Sequence, residues 1–140
     1  MSAAQYGQHK CVMVIDGDLP LGLIANTAAV LALSLGARIP LLGPEVVDGS
    51  GSPHAGITTT PIPILKGEAE KVRDIRAQAA GMGEMFVVDI TNAAQTTRNY
   101  EDYTAKLCRT TESELRYLGV AIYGPKKAVS RLTGNLPLMA

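Results

Sequence analysis

The sequence contains no tryptophan and a single phenylalanine, so its core has to be built from aliphatic side chains. It also lacks a charge excess, because 13 basic residues balance 13 acidic ones, and this argues against a dedicated nucleic-acid binder. The balance is uneven, however. Residues 98–140 hold 7 basic and 4 acidic side chains, so the C-terminal part is locally positive and RNA stays a minor candidate partner.

Cysteines and long apolar runs are also scarce. Cys11 and Cys108 are far apart and lack the spacing of metal ligands, so two reduced thiols are expected. No basic segment with a cleavage site opens the chain, and the longest apolar stretch, residues 19–37, is broken by polar residues. A bilayer span needs about 20 apolar residues. We therefore expect a soluble, cytoplasmic protein without membrane contact.

Apolar runs alternate with helical patterns along the whole chain, and this alternation is typical of a layered α/β domain with a small mixed sheet. After a loose tail at residues 1–8, a single domain is predicted over residues 1–140. Most strands read as buried on both faces. The predicted strands are residues 10–15, 85–90 and 117–123, and the predicted helices are residues 20–35, 68–80 and 99–109 with a last helix that opens at Pro125.

Two further segments are predicted from turn residues and prolines. Residues 45–60 contain the run Asp48-Gly-Ser-Gly-Ser-Pro-His54 and read as the tip of a hairpin. Pro61 and Pro63 alternate with isoleucines, and because proline cannot donate to a β-ladder, this strand should lie at a sheet edge or be only partly paired.

Asp16 and Asp18 follow the first strand, where ligand sites of α/β proteins tend to lie. Two carboxylates this close could hold a divalent cation. Alternatively they form a solvated turn in which Asp18 caps the next helix. The second interpretation fits the sequence better.

Asn26 is the strongly polar side chain of an otherwise apolar helix, so we expect its amide to be buried. A buried amide must find partners, and it either ties down nearby backbone or faces a pocket. A second polar group, Thr91–Thr96, follows a predicted strand. It provides Gln95 and Thr96 as candidate ligand contacts, or it serves only to cap a helix.

Lys126 and Lys127 lie at the start of the last helix, where backbone N–H groups could help to bind an anion. A solvated basic face explains them more simply. His9 and His54 have no partner at metal-ligand spacing and read as surface histidines. Since motifs for a nucleophile, a dinucleotide or a phosphate loop are also missing, neither a cofactor nor a metal is expected.

The two ends of the chain resemble a known family. The opening Lys10-Cys-Val-Met-Val-Ile-Asp-Gly-Asp-Leu-Pro-Leu-Gly-Leu-Ile-Ala-Asn26, with Tyr123-Gly-Pro125 and Thr133-Gly-Asn-Leu-Pro-Leu138, is similar to the second class of peptidyl-tRNA hydrolase. Further motifs are the Ala-Asn26-Thr-Ala-Ala helix, the Pro61-Ile-Pro-Ile-Leu65 strand and the Asn99-Tyr-Glu-Asp-Tyr103 helix. With them and the tail, nearly the whole chain resembles a relative of that fold, the domain-of-unknown-function family 2000. The resemblance implies a three-layer α/β/α fold with a four-stranded mixed sheet and a homodimer, with no established activity.

The sequence departs from the hydrolase at the positions that would carry its chemistry. With Gly22 in the place of the hydrolase glycine, the lysine, glutamine and histidine of that family fall at Leu23, Thr27 and Val30. Its acidic loop has a distant counterpart in Asp89 and residues 94–96. General acid–base chemistry needs a titratable group beside the substrate, and these replacements remove two of them.

Three functions remain open at this point. The first is a small-ligand binding protein whose pocket is lined by Asp18, Asn26, Asp89 and Gln95, with Lys126 to attract an anion. The second is a divergent hydrolase of peptidyl or aminoacyl esters of the tRNA type, in which Asp89 or Asp18 acts as the base. The third is an obligate dimer whose alanine-rich helix face and proline-bearing edge serve assembly alone.

Overall fold

The structure, a computed structural model, describes residues 8–140. The tail predicted at residues 1–8 therefore lies almost entirely outside the described residues. The elements in chain order are β1 (His9–Asp16), α1 (Leu21–Gly36), β2 (Val46–Val47), β3 (Pro53–His54), β4 (Ile64–Gly67), α2 (Ala69–Ala80), β5 (Phe86–Thr91), α3 (Asn92–Gln95), α4 (Tyr100–Arg109), a 3-10 turn (Glu112–Glu114), β6 (Tyr117–Pro125) and α5 (Lys126–Thr133).

The main sheet has four strands in the order β4–β1–β6–β5. β4 runs parallel to β1, whereas β6 is antiparallel to both β1 and β5, so the predicted α/β fold with a small mixed sheet is confirmed. The central ladder pairs Val12 with Ile122 and so joins the first strand of this sheet to its last. β2 and β3 form a separate hairpin at the place where the turn residues predict one.

Helices cover both faces of the sheet and give the fold three layers. Because side chains alternate along a strand, β1 sends Val12 and Val14 to one face and Met13 to the other. Val72 and Ile75 of α2 pack on the first face together with α5. α1 covers the second face, where its Leu31 contacts the cluster around Met13.

Close packing of α1 depends on a glycine in β6. A Cβ added at Gly119 would lie 2.7 Å from Thr27 Cγ2 and 3.3 Å from Leu31 Cδ1. The bare backbone at this position lets α1 lie directly on the sheet. Thr27 is fully buried at this contact.

The two edges of the sheet differ. Pro61 and Pro63 lie just before β4, which is the outermost strand on its side, so the predicted edge position is confirmed although the prolines themselves are not part of the strand. The chain itself covers β4: Lys66 N donates to Pro137 O at 2.9 Å, and Met139 N donates to Ile64 O at 2.8 Å.

β5 forms the other edge, and here the prediction of a strand buried on both faces is wrong. Residues 86–89 are only half buried, although their sequence is strongly apolar. The only strand of the described chain that pairs with β5 is β6. α1 and the segment around α4 flank β5 in place of a fifth strand.

Candidate functional site

A groove of about 580 Å³ lies along β5 and brings three parts of the chain together. α1 forms one wall with Leu23, Asn26 and Val30, which share a helix face because they are three and four residues apart. The floor is Val88–Ile90 of β5. The opposite wall is the segment from Ala94 to Tyr103, and the remaining lining residues are Ser34, Arg38 and Leu118.

Local capping interactions position this opposite wall. Thr91 ends β5, and its side chain accepts a hydrogen bond from Ala93 N at 3.3 Å, which starts the short helix α3. Asn99 then caps α4, with its Oδ1 accepting from Asp102 N at 2.8 Å. The capping role predicted for the polar segment after β5 is confirmed, and the cap of α4 holds Tyr103 beside the groove.

Asn26 is exposed on the groove wall, so the expected burial of its amide is wrong, whereas the alternative in which it faces a pocket agrees with its position. The buried polar side chain of α1 is its neighbour Thr27. Within residues 8–140, the Asn26 side chain makes no hydrogen bond, and the same holds for Gln95 on the opposite wall. Both amides therefore present donors and acceptors to the groove.

Asp89 is the acidic residue of the groove, and an arginine from outside the groove holds it. Its Oδ2 accepts a hydrogen bond from Arg76 Nε of α2 at 3.3 Å. Burial raises the pKa of the Asp89 carboxyl, while the charge and hydrogen bond of Arg76 oppose that rise. Burial, with Asp89 and Tyr100 nearby, also raises the pKa of Tyr103.

Sequence reasoning missed the two arginines of the groove, Arg38 and Arg98. Neither lies within ion-pair distance of a carboxylate in the part of the chain that the structure describes. Arg38 Nη1 donates instead to the backbone oxygen and the hydroxyl of Ser34, at 3.0 and 2.9 Å. Since Arg76 already pairs with Asp89, the groove carries a net positive charge.

No sequence signal marks these arginines. Arg38 follows α1 and Arg98 precedes α4, and these two parts of the chain come together only in the tertiary fold. The helical spacing of Tyr100, Tyr103 and Leu107 predicts a stripe that faces the core, but Tyr100 is 78% exposed at the groove, with its ring 5.6 Å from that of Tyr103. The spacing of the two tyrosines, which puts both on one side of α4, is the one hint of this wall in the sequence.

The structure leaves three predicted site residues outside the groove. Asp18 is exposed beyond β1, and its backbone N–H donates to Asp16 Oδ1 at 3.0 Å. Lys126 lines a separate cavity of about 340 Å³ near His9 and Thr60. Thr96 lies behind the wall, where its hydroxyl donates to Asn92 O and accepts from Lys106 Nζ.

The predicted pair of carboxylates after β1 is not available for a cation. Asp16 is 1% exposed, and its Oδ2 accepts a hydrogen bond from Arg116 Nη2 at 3.1 Å. Asp18 does not cap α1 either, since Pro20 occupies the cap position without a side-chain bond. Across residues 8–140, no three histidine, cysteine or acidic side chains form a group able to hold a metal ion.

The two histidines also lie away from the groove. His54 is exposed on the hairpin, where its Nε2 is 2.8 Å from Asp48 Oδ2. His9 is half buried with its ring 5.2 Å from that of Tyr123, so only His54 matches the expectation of a surface histidine. None of the helices in the described chain has the length and apolar character needed to cross a membrane.

Comparisons with known proteins agree with this architecture. The sequence model of the family described as Protein of unknown function (DUF2000) matches residues 9–140. A solved structure of a protein of unknown function from Agrobacterium tumefaciens strain C58 superimposes with a TM-score of 0.86 at 18% identity, covering 95% of this chain and 98% of that one. At this identity the likeness shows a shared fold. Among curated proteins, none matches the chain.

Proposed function

We propose that this chain, which belongs to the DUF2000 family of proteins of unknown function, binds a small anionic ligand in the groove along β5. The observation that carries the proposal is the pair of arginines, Arg38 and Arg98, in one groove with the amides of Asn26 and Gln95. Arginine favours carboxylate and phosphate groups because its planar fork donates two parallel hydrogen bonds. The amides would fix the orientation of the bound molecule.

The size and lining of the groove support a small molecule. Pockets for such ligands commonly measure about 300–1,000 Å³ and combine apolar walls with a few polar groups. Leu23, Val30 and Tyr100 supply apolar surface here. A ligand with an anionic end and an apolar part would use both kinds of wall.

The resemblance to the second class of peptidyl-tRNA hydrolase supports the same location. Leu23 and Val30 stand where that family carries lysine and histidine, and both line the groove. We propose that the fold is peptidyl-tRNA hydrolase II-like and that a site position was kept while its titratable groups were lost. A protein with this change would bind a ligand in the groove but would not carry out the hydrolase chemistry.

A thermal-shift screen of small carboxylates and phosphates tests the proposal. A ligand at 100 times its Kd stabilises a protein by about 2.7 kcal/mol, which for a domain of this size shifts the Tm by several degrees. We expect Asn26→Ala and Arg98→Ala to reduce the shift. The controls Asn135→Ala and Arg131→Ala alter exposed residues away from the groove and should leave it intact. Equal shifts of the Tm in the parent protein and all four variants would refute the assignment of the ligand to this groove.

One observation favours a second function, the divergent hydrolase. Asp89 lines the groove, and burial raises the pKa of its carboxyl, which moves it toward the range useful for a general base. Asp18, the other candidate base, lies outside the groove. Peptidyl-tRNA and aminoacyl-tRNA incubated with a large amount of protein test this function. Hydrolysis that Asp89→Asn abolishes would establish it, and intact substrates would exclude it.

RNA binding would accompany that second function. The seven basic residues of positions 98–140 include Arg98 at the groove. Contacts to phosphates release counterions, so binding to tRNA should weaken steeply as salt is raised. Binding that is indifferent to salt would count against a phosphate contact.

We also propose that the protein is a homodimer that buries the outer face of α1. No residue of α1 is charged, and its exposed side includes Leu21 at 81% and Leu33 at 78% exposure with Ala25 and Ala29 between them. A face without charge can meet its own copy without like-charge repulsion. Sedimentation should show a dimer that Leu33→Glu converts to a monomer and that Leu138→Glu, at the far edge of the sheet, leaves intact.

A further inference from the structure

The groove runs along the edge of β5 and not over one face of the sheet. Val88, Asp89 and Ile90 all line it, although consecutive residues of a strand point to opposite faces. This lining is expected of a cavity that follows the backbone edge of the strand. The two walls agree, since α1 packs on one face of the sheet and Arg76, which holds Asp89, comes from the helix on the other.

The hydrogen-bond pattern of the sheet shows which backbone groups face this edge. Met13 N donates to Pro63 O, on the β4 side of β1. Since backbone groups alternate in direction along a strand, Val12 directs its N–H and C=O toward β6. Its partner there is Ile122, which therefore directs its own groups back toward β1.

The same alternation continues across β6 to the outer strand. Ala121, next to Ile122, directs its N–H and C=O toward its partner Val88 in β5. Val87 and Asp89, the neighbours of Val88, therefore direct theirs away from the sheet. Outside the sheet ladder, no backbone hydrogen bond within residues 8–140 involves either residue.

An unpaired apolar edge is unusual in a folded protein, because it can pair with another chain. This protein covers its other edge with its own residues 137–139, which lie beside β4. β5 reads Phe-Val-Val-Asp-Ile-Thr and carries neither the lysine nor the proline that commonly blocks an edge. The sheet is therefore protected on one side and left available on the other, where the groove lies.

We infer that the ligand of the groove is an extended peptide that carries a carboxylate and adds a strand to β5. This inference rests on the proposed function and specifies its ligand class. The peptide backbone pairs with the N–H and C=O groups of Val87 and Asp89. Its carboxylate binds Arg98 and Arg38, which have no acidic partner among the described residues.

The walls of the groove favour a single extended segment over a second copy of this chain. Asn26 and Val30 on one side and Tyr100 on the other line the cavity beyond the edge of β5. If β5 paired with β5 of another copy, the two groove walls beside each strand would come up against the two walls of the other copy. An isolated peptide has no such walls, and its alternate side chains can contact Leu23 and Tyr103.

Amide hydrogen exchange of the ¹⁵N-labelled protein tests this inference. The probe is a pool of N-acetylated random tetrapeptides with free C-terminal carboxylates. We expect exchange at Val87 and Asp89 to slow at least tenfold, while Ile122 inside the sheet is unchanged. A pool with methylated backbone nitrogens should give no protection. A pool with C-terminal amides should bind about tenfold more weakly, and Arg98→Gln should remove that difference.

The contrary results separate this inference from the proposed function. Strand addition would be overturned if the methylated pool slowed exchange as much as the unmethylated one. It would also be overturned if succinate perturbed the groove residues and the peptides did not. Either result would leave anion binding in place. Protection of Val87 that rises with protein concentration in the absence of peptide would assign the edge to a second copy instead. If neither peptides, succinate nor inorganic phosphate perturbs any groove residue, both proposals fail.

Discussion

At the scale of single residues, several side chains owe their behaviour to burial. Cys11 is fully buried in β1, and burial raises the pKa of its thiol to about 11. Cys108 is exposed on α4. Because the thiolate is the reactive form of cysteine, the two thiols should differ sharply in reactivity at neutral pH.

We predict that the native protein reacts with one equivalent of a thiol reagent at pH 7 and with two after unfolding. Cys108→Ser should remove the fast reaction, and Cys11→Ser should leave it. Raising the pH toward 10 should still leave Cys11 mostly protonated and shielded. Fast native labelling of two thiols would contradict the packing of β1.

Gly119 provides a second test at this scale. A Cβ there would overlap Thr27 Cγ2 of α1, so Gly119→Ala should force helix and sheet apart and lower the free energy of unfolding by about 1–3 kcal/mol. Gly22 lies in α1, and a Cβ added there would have no atom within 4 Å. Gly22→Ala should therefore stabilise slightly, by about 0.5–1 kcal/mol. Urea unfolding measures both, and a neutral Gly119→Ala would contradict the close approach.

The sequence predicted Asn26 as a site residue but assigned it to the wrong environment. A helix is oriented by the contrast between its apolar and polar sides, and α1 is apolar nearly all round. The sequence of α1 therefore does not show which side of the helix faces the core. Whether Asn26 or Thr27 is buried depends on the sheet beneath the helix. Asp89 and Gln95 were predicted to meet Asn26 and do line the same groove, whereas Asp18 and Lys126 do not.

At the scale of elements, the capping signals were the most informative part of the sequence. Asn99 followed by Asp102 has the pattern of a helix start, and the structure begins α4 at the next residue with Asn99 as the cap. Thr111 and Glu114 likewise have the residue types and spacing of a capping box, and the structure contains it. Such signals are local, so they survive without knowledge of the fold.

The cap of α4 also supports the groove wall. Asn99→Ala should lower the free energy of unfolding by about 1 kcal/mol, because the N–H of Asp102 loses its partner. Asn99→Asp keeps an acceptor at this position and should cost little. Urea unfolding of both variants tests the cap, and equal losses in the two would show that Asn99 acts through something other than this bond.

The edge position of β5 could not be predicted from its sequence. A run such as Phe-Val-Val-Asp-Ile-Thr is apolar enough for a central strand, and periodicity alone does not separate the two cases. The coverage of β5 comes from α1 and from the segment of residues 94–103, which lie far apart along the chain. The groove is a product of that tertiary arrangement.

At the scale of the whole molecule, the sheet is asymmetric in the protection of its edges. Residues 137–139 close β4 with two backbone hydrogen bonds, each worth about 1 kcal/mol. We predict that removal of residues 137–140 lowers the free energy of unfolding by about 1–2 kcal/mol and increases light scattering on warming.

A matched variant separates the backbone contribution from the side chain. Leu138 is 65% exposed, so Leu138→Ser removes apolar surface while keeping the backbone in place. It should unfold like the parent protein and scatter no more light. If the truncated chain matches the parent in both measurements, the tail does not protect the edge.

The pairing of Val12 with Ile122 has a consequence for how the chain reaches its native state. The two innermost strands are separated by most of the described chain, so the ladder between them cannot form until almost everything between them has been made. Closing so large a loop is entropically costly, and proteins rich in such distant pairings fold on the millisecond-to-second scale. During synthesis, β1 therefore leaves the ribosome long before its central partner β6 does.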